Sequence, residues 1–395
     1  MTSVLVTDGD ERAALAVVRS LGRAGFDIHV CGSHRRTLAA LSRRTLEAFA
    51  VPDPLRAPTE FVRAVAAYVT ARRVDIVVPV TEAALLAVLA RREAFGAAVI
   101  PFPPLERFRA ASDKIELGEI ARLVGIASPD HVRLNSAADV AALDAGALPY
   151  PVVLKPARSI GEMEGRRSKH TVRHARDAAE LTSRIAELSP AAFPVLVQRR
   201  IVGGGCGVFL LRWNGATAAW FAHRRILEKP PAGGVSVYAE AVMPSPALLA
   251  QSERLLEALD WQGVAMVEYK IDATTGVPYL MEVNGRFWGS LQLAIDAGVD
   301  FPKLLVLAAL GEQLPLTSPY RSGAKGRWWW GEVDHVLTRL RHSDAELALP
   351  PGSPSRGAAV RQFLTRWNPR ERDAVLRLND PLPFLYESVR WLTRH

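Results

Sequence analysis

Two glutamates and an asparagine stand at a spacing that suits a divalent metal ion. Glu268 lies in one strand-like run, Glu282 and Asn284 lie in the next, and a turn near Thr275 separates the two runs. In a hairpin centred on Thr275, Glu268 faces Glu282 directly and Asn284 lies on the same side of the strands. Opposed like charges destabilise a hairpin, whereas a hard cation such as Mg²⁺ removes that penalty by binding carboxylate and amide oxygens.

The same hairpin has an apolar face, which we predict to be core. Its members are Val267, Tyr269, Ile271, Tyr279, Met281 and Val283. The alternative to a metal site is a pair of solvated glutamates on an exposed face. A register slip of one residue would also separate the two carboxylates.

Lysine is rare in this chain, so the positions that keep it are informative. Only seven of the 49 Lys and Arg residues are lysine. Lys155 ends a strand that looks buried, where a charge is costly without an anion beside it. Lys114 begins a helix, where a cation is unfavourable with respect to the helix dipole. Bound phosphate would compensate both charges, and an ordinary solvated lysine is the alternative at each position.

A basic cluster at a predicted strand end is a candidate for binding a carboxylate substrate. It consists of His223, Arg224 and Arg225, and arginine is suited to bidentate binding of carboxylates. The alternative is a solvated basic turn. A polar loop over residues 157–170, with Gly161 and Gly165, could cover phosphates through its backbone amides.

The elements that must position these residues fall into three parts. Strands and helices alternate over residues 1–110, which predicts a doubly wound parallel sheet, with strands near 4–7, 28–31, 74–80 and 98–101. The turn after the first strand, Thr7-Asp8-Gly9-Asp10, lacks the G-x-G-x-x-G fingerprint of dinucleotide binding. Residues 111–315 mix helices with antiparallel strands, and residues 316–395 are rich in Trp and Arg and mostly helical.

The order of these motifs resembles the ATP-grasp superfamily, and within it the carboxylate–amine ligases and carbamoyl-phosphate-synthase-like members. The resemblance spans about residues 1–310. It is carried by Asp113-Lys114, Val-Leu-Lys155-Pro, Val-Gln198 with Gly203–Gly205, Val-Glu268-Tyr, and Met-Glu282-Val-Asn284-Gly-Arg286. It implies an α/β fold in which the N-terminal domain precedes a two-lobed α+β ATP-grasp domain, with lobes at about 111–200 and 201–315.

The resemblance also implies a site for ATP. Lys114 and Lys155 would contact the phosphates. A hinge strand would recognise adenine, largely through backbone groups, and it comprises Gln198, Arg199, Arg200 and Ile201. Two features depart from the family pattern: the hinge lacks the acidic residue often found there, and the loop 157–170 is rich in charge where a Gly/Ser-rich loop is expected.

The metal and the chemistry follow from the same resemblance. Glu268, Glu282 and Asn284 would hold one or two Mg²⁺ ions, with Mn²⁺ as an alternative, and Glu268 and Glu282 would thereby also bind the nucleotide. Asn284 and Arg286 would be catalytic, with Arg286 facing the transferred phosphoryl group or the acyl phosphate.

The implied function is an ATP- and Mg²⁺-dependent ligase that activates a carboxylate as an acyl phosphate and joins it to an amine, such as an amino acid. The partners would be small-molecule substrates, and this architecture often forms homodimers. Two alternatives stay open: an enzyme that releases a phosphorylated product, as in carbamoyl phosphate formation, and a non-catalytic nucleotide-binding scaffold. The Trp/Arg-rich extension is predicted to pack its helices onto the core, and the alternatives are a cap on the active site, a partner surface or a membrane-interface surface.

Composition narrows the class of protein. The 395 residues are 49% hydrophobic and 23% charged, which excludes disordered, collagen-like and coiled-coil chains. No apolar run approaches the roughly 20 residues of a membrane-spanning helix, and we expect no signal peptide. Cys31 and Cys206 make neither a disulfide framework nor a cysteine-based zinc site, so we expect a reducing, cytoplasmic environment. The net charge of +8 comes without a block of five like charges, which does not favour a nucleic-acid partner.

Overall fold

The N-terminal part is a parallel four-stranded sheet with helices packed on it. A computed structural model describes residues 1–163, 166–314, 320–350, 352–366, 368 and 371–394. Its first strands are β1 (Ser3–Val6), β2 (Asp27–Gly32), β3 (Glu47–Ala50) and β4 (Ile76–Val78), in the spatial order β3-β2-β1-β4. The helices are α1 (Arg12–Arg23), α2 (Pro58–Arg72), α3 (Glu82–Leu89) and α4 (Leu105–Ser112). Val4, Leu5 and Val6 of the inner strand β1 are fully buried, as expected of a parallel strand covered on both faces.

One predicted strand of this sheet is absent as a strand. The run at 98–101 contributes only an isolated bridge between Ile76 and Val99, beside β4. The opposite edge of the sheet is formed by β3, which the sequence did not predict. The parallel arrangement itself is confirmed, because β1 pairs in parallel with both β2 and β4.

A small antiparallel sheet follows. Helix α5 (Lys114–Leu123) leads into strands β5 (His131–Leu134), β6 (Val152–Pro156), β7 (Ile160–Met163), β8 (Arg166–Lys169), β9 (Arg173–Ala175), helix α6 (Ala178–Ala186) and β10 (Val195–Arg199). The sheet order is β5-β10-β6-β9, and it has its own small core. Strands β7 and β8 form a separate hairpin, so the segment predicted as a loop at 157–170 contains regular structure, with Glu164 and Gly165 outside the described residues.

The largest element is a seven-stranded sheet that carries most of the candidate site. Its strands are β11 (Gly203–Trp213), β12 (Ala216–Lys229), β13 (Val235–Ala241), β14 (Gly263–Asp272), β15 (Pro278–Asn284), β16 (Lys325–Arg327) and β17 (Arg372–Asp373). Their order is β15-β14-β11-β12-β13-β16-β17, antiparallel except for the last pair. Helices α7 (Pro246–Ala258), α8 (Leu291–Ala297) and α9 (Phe301–Ala309) accompany it, and 3-10 helices lie at Arg92–Phe95, Ala137–Ala142, Ala145–Ala147 and Pro190–Ala192.

The C-terminal part packs onto the rest of the molecule. Its helices are α10 (Trp329–Arg341), α11 (Arg356–Thr365) and α12 (Leu382–Leu392). Asp380 pairs with Arg19 of α1 at 2.8 Å. Within the C-terminal part, the indole of Trp328 donates to Glu387 at 2.8 Å, and Trp330 stacks on Trp391 with ring centroids 4.3 Å apart. Since β16 and β17 extend the large sheet, this part is less purely helical than predicted. Within the described ranges, no helix has the length and apolar character needed to cross a membrane.

The overall architecture matches the predicted class. A parallel α/β sheet at the N-terminus precedes antiparallel α+β sheets, and helices dominate the C-terminal end. The two cysteines, Cys31 and Cys206, are both free and buried.

Candidate active site

The β14–β15 hairpin places the two predicted metal-binding carboxylates opposite each other. Glu268 and Glu282 are direct register partners. The turn begins at Asp272, whose carboxylate accepts the backbone N–H groups of Thr274 and Thr275, each at 2.9 Å. Gly276 adopts φ of +71°, which a residue with a side chain disfavours.

A β-bulge corrects the predicted face of β15. The register shifts between Glu268 and Tyr269, so Tyr269 pairs with Leu280 and not with Met281. Leu280 is buried in the core, while Met281 lines the cavity and accepts a hydrogen bond through Sδ from Lys155 at 3.5 Å. The prediction that Met281 is a core residue is therefore wrong. Such an extra residue re-aims a side chain locally, which is what bulges near sites commonly do.

Glu282 sits at the end of a hydrogen-bonded series. The Asn284 amide donates to Glu282 Oε1 at 2.8 Å, and Arg286 donates through Nη2 to Asn284 Oδ1 at 3.2 Å. Burial alone would raise the pKa of Glu282, but Lys114, the Asn284 amide and Lys155 outweigh it and lower that pKa. Glu282 is therefore an anion at neutral pH.

Glu268 is held by Arg225, which reaches it across an intervening strand. Arg225 lies on β12 and donates to Glu268, to Glu228 Oε1 at 2.8 Å and to the Gly234 carbonyl at 3.0 Å. The strand between them, β11, carries Gly205, where a Cβ would lie 3.0 Å from Arg225 Cδ. The absence of a side chain there allows Arg225 to cross β11.

Opposing effects act on the pKa of Glu268. Burial raises its pKa, the Arg225 guanidinium lowers it, and the nearby Glu282 raises it again, with a net upward shift. A further cation beside Glu268 and Glu282 would reduce the repulsion between the two carboxylates.

Lysines surround these carboxylates. Burial lowers the pKa of Lys155 to about 8, and burial also lowers the pKa of Lys270. Lys114 follows the N-cap Asp113 of α5, and its backbone N–H donates to Ala157 at 2.9 Å. All three lysines line one cavity together with Glu268 and Glu282.

That cavity, of about 310 Å³, brings together nearly all of the predicted site residues. The ones that line it are Lys114, Lys155, Gln198, Arg199, Arg200, Ile201, His223, Arg225, Glu268, Glu282, Asn284 and Arg286. Arg224 lies outside it. Its side chain is 65% exposed and donates to Glu240 at 2.6 Å.

The hinge residues lie at the end of β10 and just beyond it. Gln198 is buried, and Arg199 forms an ion pair with Asp130 at 3.5 Å while lying over the Tyr279 ring at 5.1 Å. Arg200 donates to the Ala348 carbonyl of the C-terminal part. Both arginines nevertheless line the cavity, while the backbone of Gln198 and Arg199 is engaged in the pairing of β10 with β5 and β6.

His223 and Arg225 differ from the exposed basic cluster that the sequence suggested. His223 is fully buried, stacks on Phe209 with centroids 4.8 Å apart, and its Nε2 lies 3.1 Å from Ser290 Oγ. Burial lowers the pKa of His223 to about 3, so its ring is neutral. A neutral imidazole can contribute a hydrogen bond to a substrate but no charge.

Sequence reasoning missed several cavity residues. Lys270 lies two residues after Glu268 on the same strand face, and this period-two spacing was a signal that could have found it. Glu228 and His174 gave no such signal, because their placement depends on strand pairing. Burial, reinforced by Arg200, lowers the pKa of His174 to about 4.

The donor set fits a hard divalent cation. Arg225 engages Oε2 of Glu268 and Asn284 engages Oε1 of Glu282, which leaves one oxygen of each carboxylate to a metal. Within the described ranges, no group of three or more His, Cys, Asp or Glu side chains is arranged around a metal position. A third protein ligand would have to be the Asn284 amide, and phosphate oxygens would complete the shell, as is usual for Mg²⁺.

Comparison with known proteins gives a family match over part of the chain. Residues 194–329 match the family described as "ATP-grasp in the biosynthetic pathway with Ter operon". This segment includes β11 to β16 and the hairpin with Glu268 and Glu282. A search among curated proteins found no match.

Solved structures share the fold at low sequence identity. L-amino acid ligase from Bacillus licheniformis aligns with a TM-score of 0.63 at 18% identity, covering 78% of this chain and 74% of that one. N5-carboxyaminoimidazole synthetase from Staphylococcus aureus, complexed with ADP, aligns at 0.62 and 13% identity, covering 82% and 80%.

A third structure carries the nucleotide with a metal. The biotin carboxylase domain dimer of 2-oxoglutarate carboxylase from Hydrogenobacter thermophilus, in complex with MgADP, ADP and bicarbonate, aligns at 0.63 and 15% identity, covering 82% and 73%. The chain therefore has an ATP-grasp fold, and its segment 194–329 matches an ATP-grasp family.

Proposed function

We propose that this protein is an ATP- and Mg²⁺-dependent ligase that activates a carboxylate as an acyl phosphate and joins it to an amine. One observation carries the proposal: Glu268 and Glu282 are held opposite each other in a cavity that also receives Lys114 and Lys155. Two half-buried carboxylates beside half-buried lysines form a site for a cation and a polyanion together, and Mg·ATP is such a pair.

Each group of site residues has a separate role in this proposal. Lys114 and Lys155 neutralise phosphate oxygens, which is the main requirement of phosphoryl transfer. Glu268, Glu282 and Asn284 would hold Mg²⁺, which supplies charge neutralisation between the phosphates when bound. Arg286 lies beside Asn284 and faces the transferred phosphoryl group.

The nucleotide base lies at the hinge in this proposal. Residues 198–201 line the cavity between the two lobes. The lobes are taken as 111–200 and 201–315 within an ATP-grasp domain that follows the N-terminal domain 1–110 and precedes the extension 316–395. Arg199 pairs with Asp130 and Arg200 donates to the Ala348 carbonyl, which helps to fix the hinge.

No covalent protein nucleophile is needed. The carboxylate oxygen attacks the γ-phosphorus of ATP and ADP leaves. The amine then attacks the acyl carbon and inorganic phosphate leaves. The L-amino acid ligase among the similar structures supports an amino acid as one substrate. A homodimer and a cytoplasmic location stay predictions.

The test is ADP release from Mg·ATP across a panel of amino acids and small carboxylates. We expect release that depends on one acid–amine pair and is lost in Glu282→Gln, while Glu257→Gln, an exposed change on α7, retains it. If the wild type binds Mg·ATP tightly yet releases no ADP with any pair, the ligase proposal is overturned in favour of a binding role. A stable acyl phosphate as product would instead identify an enzyme of the carbamoyl phosphate type.

A further inference from the structure

Arg12, at the first turn of α1, is a cation held by an aromatic ring. Its guanidinium carbon lies 3.8 Å from the centroid of the Trp328 ring, a close cation–π distance. Among the residues that the structure describes, no hydrogen bond or ion pair joins the side chain of Arg12 to another protein group. The stacking occupies the flat face of the guanidinium and leaves its N–H edges available.

These edges border a small recess beside the main cavity. The recess, of about 20 Å³, is lined by Arg12, Ser236, Gly289, Ser290, Gln292 and Trp328, among others. Ser236, Gly289 and Ser290 line the main cavity as well, so the recess and the cavity are contiguous. Its volume has room for about one small polar group, not for a whole substrate.

The recess contains polar atoms without partners. The hydroxyl of Ser236 and the Oε1 atom of Gln292 are buried, and neither has a hydrogen-bond partner. Gln292 is 3% exposed, and its Nε2 donates to Asp296 at 3.1 Å. Buried polar groups without partners are uncommon in folded proteins, so these two atoms beside the unpaired Arg12 edge indicate a ligand.

Within the described part of the chain, three carboxylates influence Arg12 without a hydrogen bond to it, and the Oε2 atom of Glu387 is buried without a partner. Burial lowers the pKa of Arg12, and Glu387, Glu11 and Asp373 counter that effect. Glu387 accepts the Trp328 indole at 2.8 Å, and Asp373 accepts the Trp329 backbone N–H at 2.8 Å. The guanidinium therefore remains a cation whose hydrogen bonds are unused.

We propose that the Arg12 recess binds a non-reacting carboxylate of one of the two substrates. This inference rests on the proposed ligase function and adds a substrate class to it. A carboxylate suits the edge of a guanidinium, which offers two parallel N–H donors. The rest of the substrate then extends past Gly289 into the main cavity, toward the phosphates.

Two substrate types carry such a group. An amino acid that serves as the amine keeps its own carboxylate, and a dicarboxylic acid keeps the carboxylate that is not activated. We would titrate the twenty amino acids, succinate and glutarate into the full-length protein by calorimetry, with and without Mg·ADP. The amino acid amides and the dicarboxylate monomethyl esters serve as probes that lack one charge.

The expected result is binding of one carboxylate class, with its amide or ester counterpart binding about tenfold to a hundredfold more weakly. Arg12→Gln should weaken the charged probe by a similar factor and leave the uncharged counterpart unaffected. Arg23→Gln, an exposed change in the last turn of the same helix, is the matched control. Binding of amino acids or of dicarboxylates then identifies the source of the carboxylate.

A second variant tests the same inference if Arg12→Gln does not fold. At Gly289, a Cβ would lie 2.9 Å from Arg12 Nη2, the far end of a flexible side chain. Gly289→Ala should therefore displace the guanidinium with little loss of stability, and it should weaken the same probe.

Three outcomes would overturn the inference: no probe binds the wild type, the charged and uncharged probes bind alike, or the folded Arg12 and Gly289 variants retain full affinity. These measurements need no turnover. Loss of Mg·ADP binding in the wild type would count against the proposed function, whereas the titrations without nucleotide still test the recess.

Discussion

The prediction that most directly probes the architecture of the site concerns Arg225. It lies between two carboxylates, and the side chains of Arg225, Glu228 and Glu268 are 9%, 15% and 15% exposed. Arg225→Met keeps the bulk of the side chain but removes the charge and three hydrogen bonds. Both glutamates then lose their common partner within the low-dielectric interior.

The expected loss follows from this burial. Removing one partner of a buried ion pair costs about 3–5 kcal/mol, since it leaves an uncompensated charge behind. That is a large part of the roughly 5–15 kcal/mol by which a domain is stable. The neighbouring Arg224→Met removes only an exposed pair with Glu240, for which about 0–1 kcal/mol is expected.

The assay is guanidinium-induced unfolding followed by tryptophan fluorescence, in EDTA and in Mg·ADP. In EDTA, Arg225→Met should lose several kcal/mol and Arg224→Met almost nothing. In Mg·ADP the deficit of Arg225→Met should shrink, because a cation returns beside Glu268. Adding Glu228→Gln should recover part of the loss in EDTA. If the Arg225 and Arg224 variants were equally stable, the claim that Arg225 organises the metal-binding carboxylates would be refuted.

Three further predictions address other parts of the molecule. Because the pKa of His223 is lowered from 6.5 to about 3, the unfolded chain takes up a proton below pH 6.5 that the folded chain does not. The free energy of unfolding should therefore fall as the pH falls, by about 2 kcal/mol between pH 6.5 and 5. Denaturation of His223→Asn at these two pH values should lack this loss, and a pH dependence equal to that of the wild type would contradict the prediction. Gly285→Ala should destabilise the protein by about 1–3 kcal/mol, since the added Cβ would lie 2.2 Å from the buried Trp261 ring. At Gly204 an added Cβ meets open space, so Gly204→Ala should change stability by under about 0.5 kcal/mol in the same denaturant titration. Lys155→Met should raise the Kd for Mg·ATP, measured by calorimetry, about tenfold to a hundredfold. The affinity of the wild type should fall as the pH rises above about 8, where the free protein loses the Lys155 charge. Equal Kd values for both proteins would exclude a contact between Lys155 and phosphate.

The pairing of Glu268 with Glu282 could be predicted because it needs only a turn position and the two-residue period of a strand. The prediction assumed a symmetric hairpin, whereas the structure has a shorter turn and a compensating bulge at Met281. A bulge depends on how both faces of the strand pack, and local sequence does not encode that packing. The carboxylate pairing was right although the geometry behind it was different.

Arg225 shows what the sequence could not provide. It was grouped with Arg224 because the two are adjacent, yet alternation along β12 sends one into the cavity and the other to solvent. Its actual partner is two strands away and is reached only because Gly205 has no side chain. Strand order sets that contact, and strand order is a property of the assembled sheet.

The structure of the C-terminal part could also be predicted only partly from the sequence. Its helices were predicted to pack onto the core, and Trp328 does stack against Arg12 of α1, whereas Trp330 contacts α12 within the extension. The three-residue strand β16 was not predicted, because so short a run has no detectable period. Arg12 gave no signal either, since its meeting with Trp328 joins segments more than 300 residues apart.

The central claim is that a carboxylate is phosphorylated by ATP before the amine attacks. The most direct measurement is transfer of ¹⁸O from a labelled carboxylate to inorganic phosphate, followed by mass spectrometry, with the acid–amine pair found by ADP release. The account predicts one ¹⁸O in each phosphate formed by the wild type, and no labelled phosphate with Glu282→Gln. Formation of ADP and ligated product with unlabelled phosphate would contradict it, because the carboxylate oxygen would never have bonded to phosphorus.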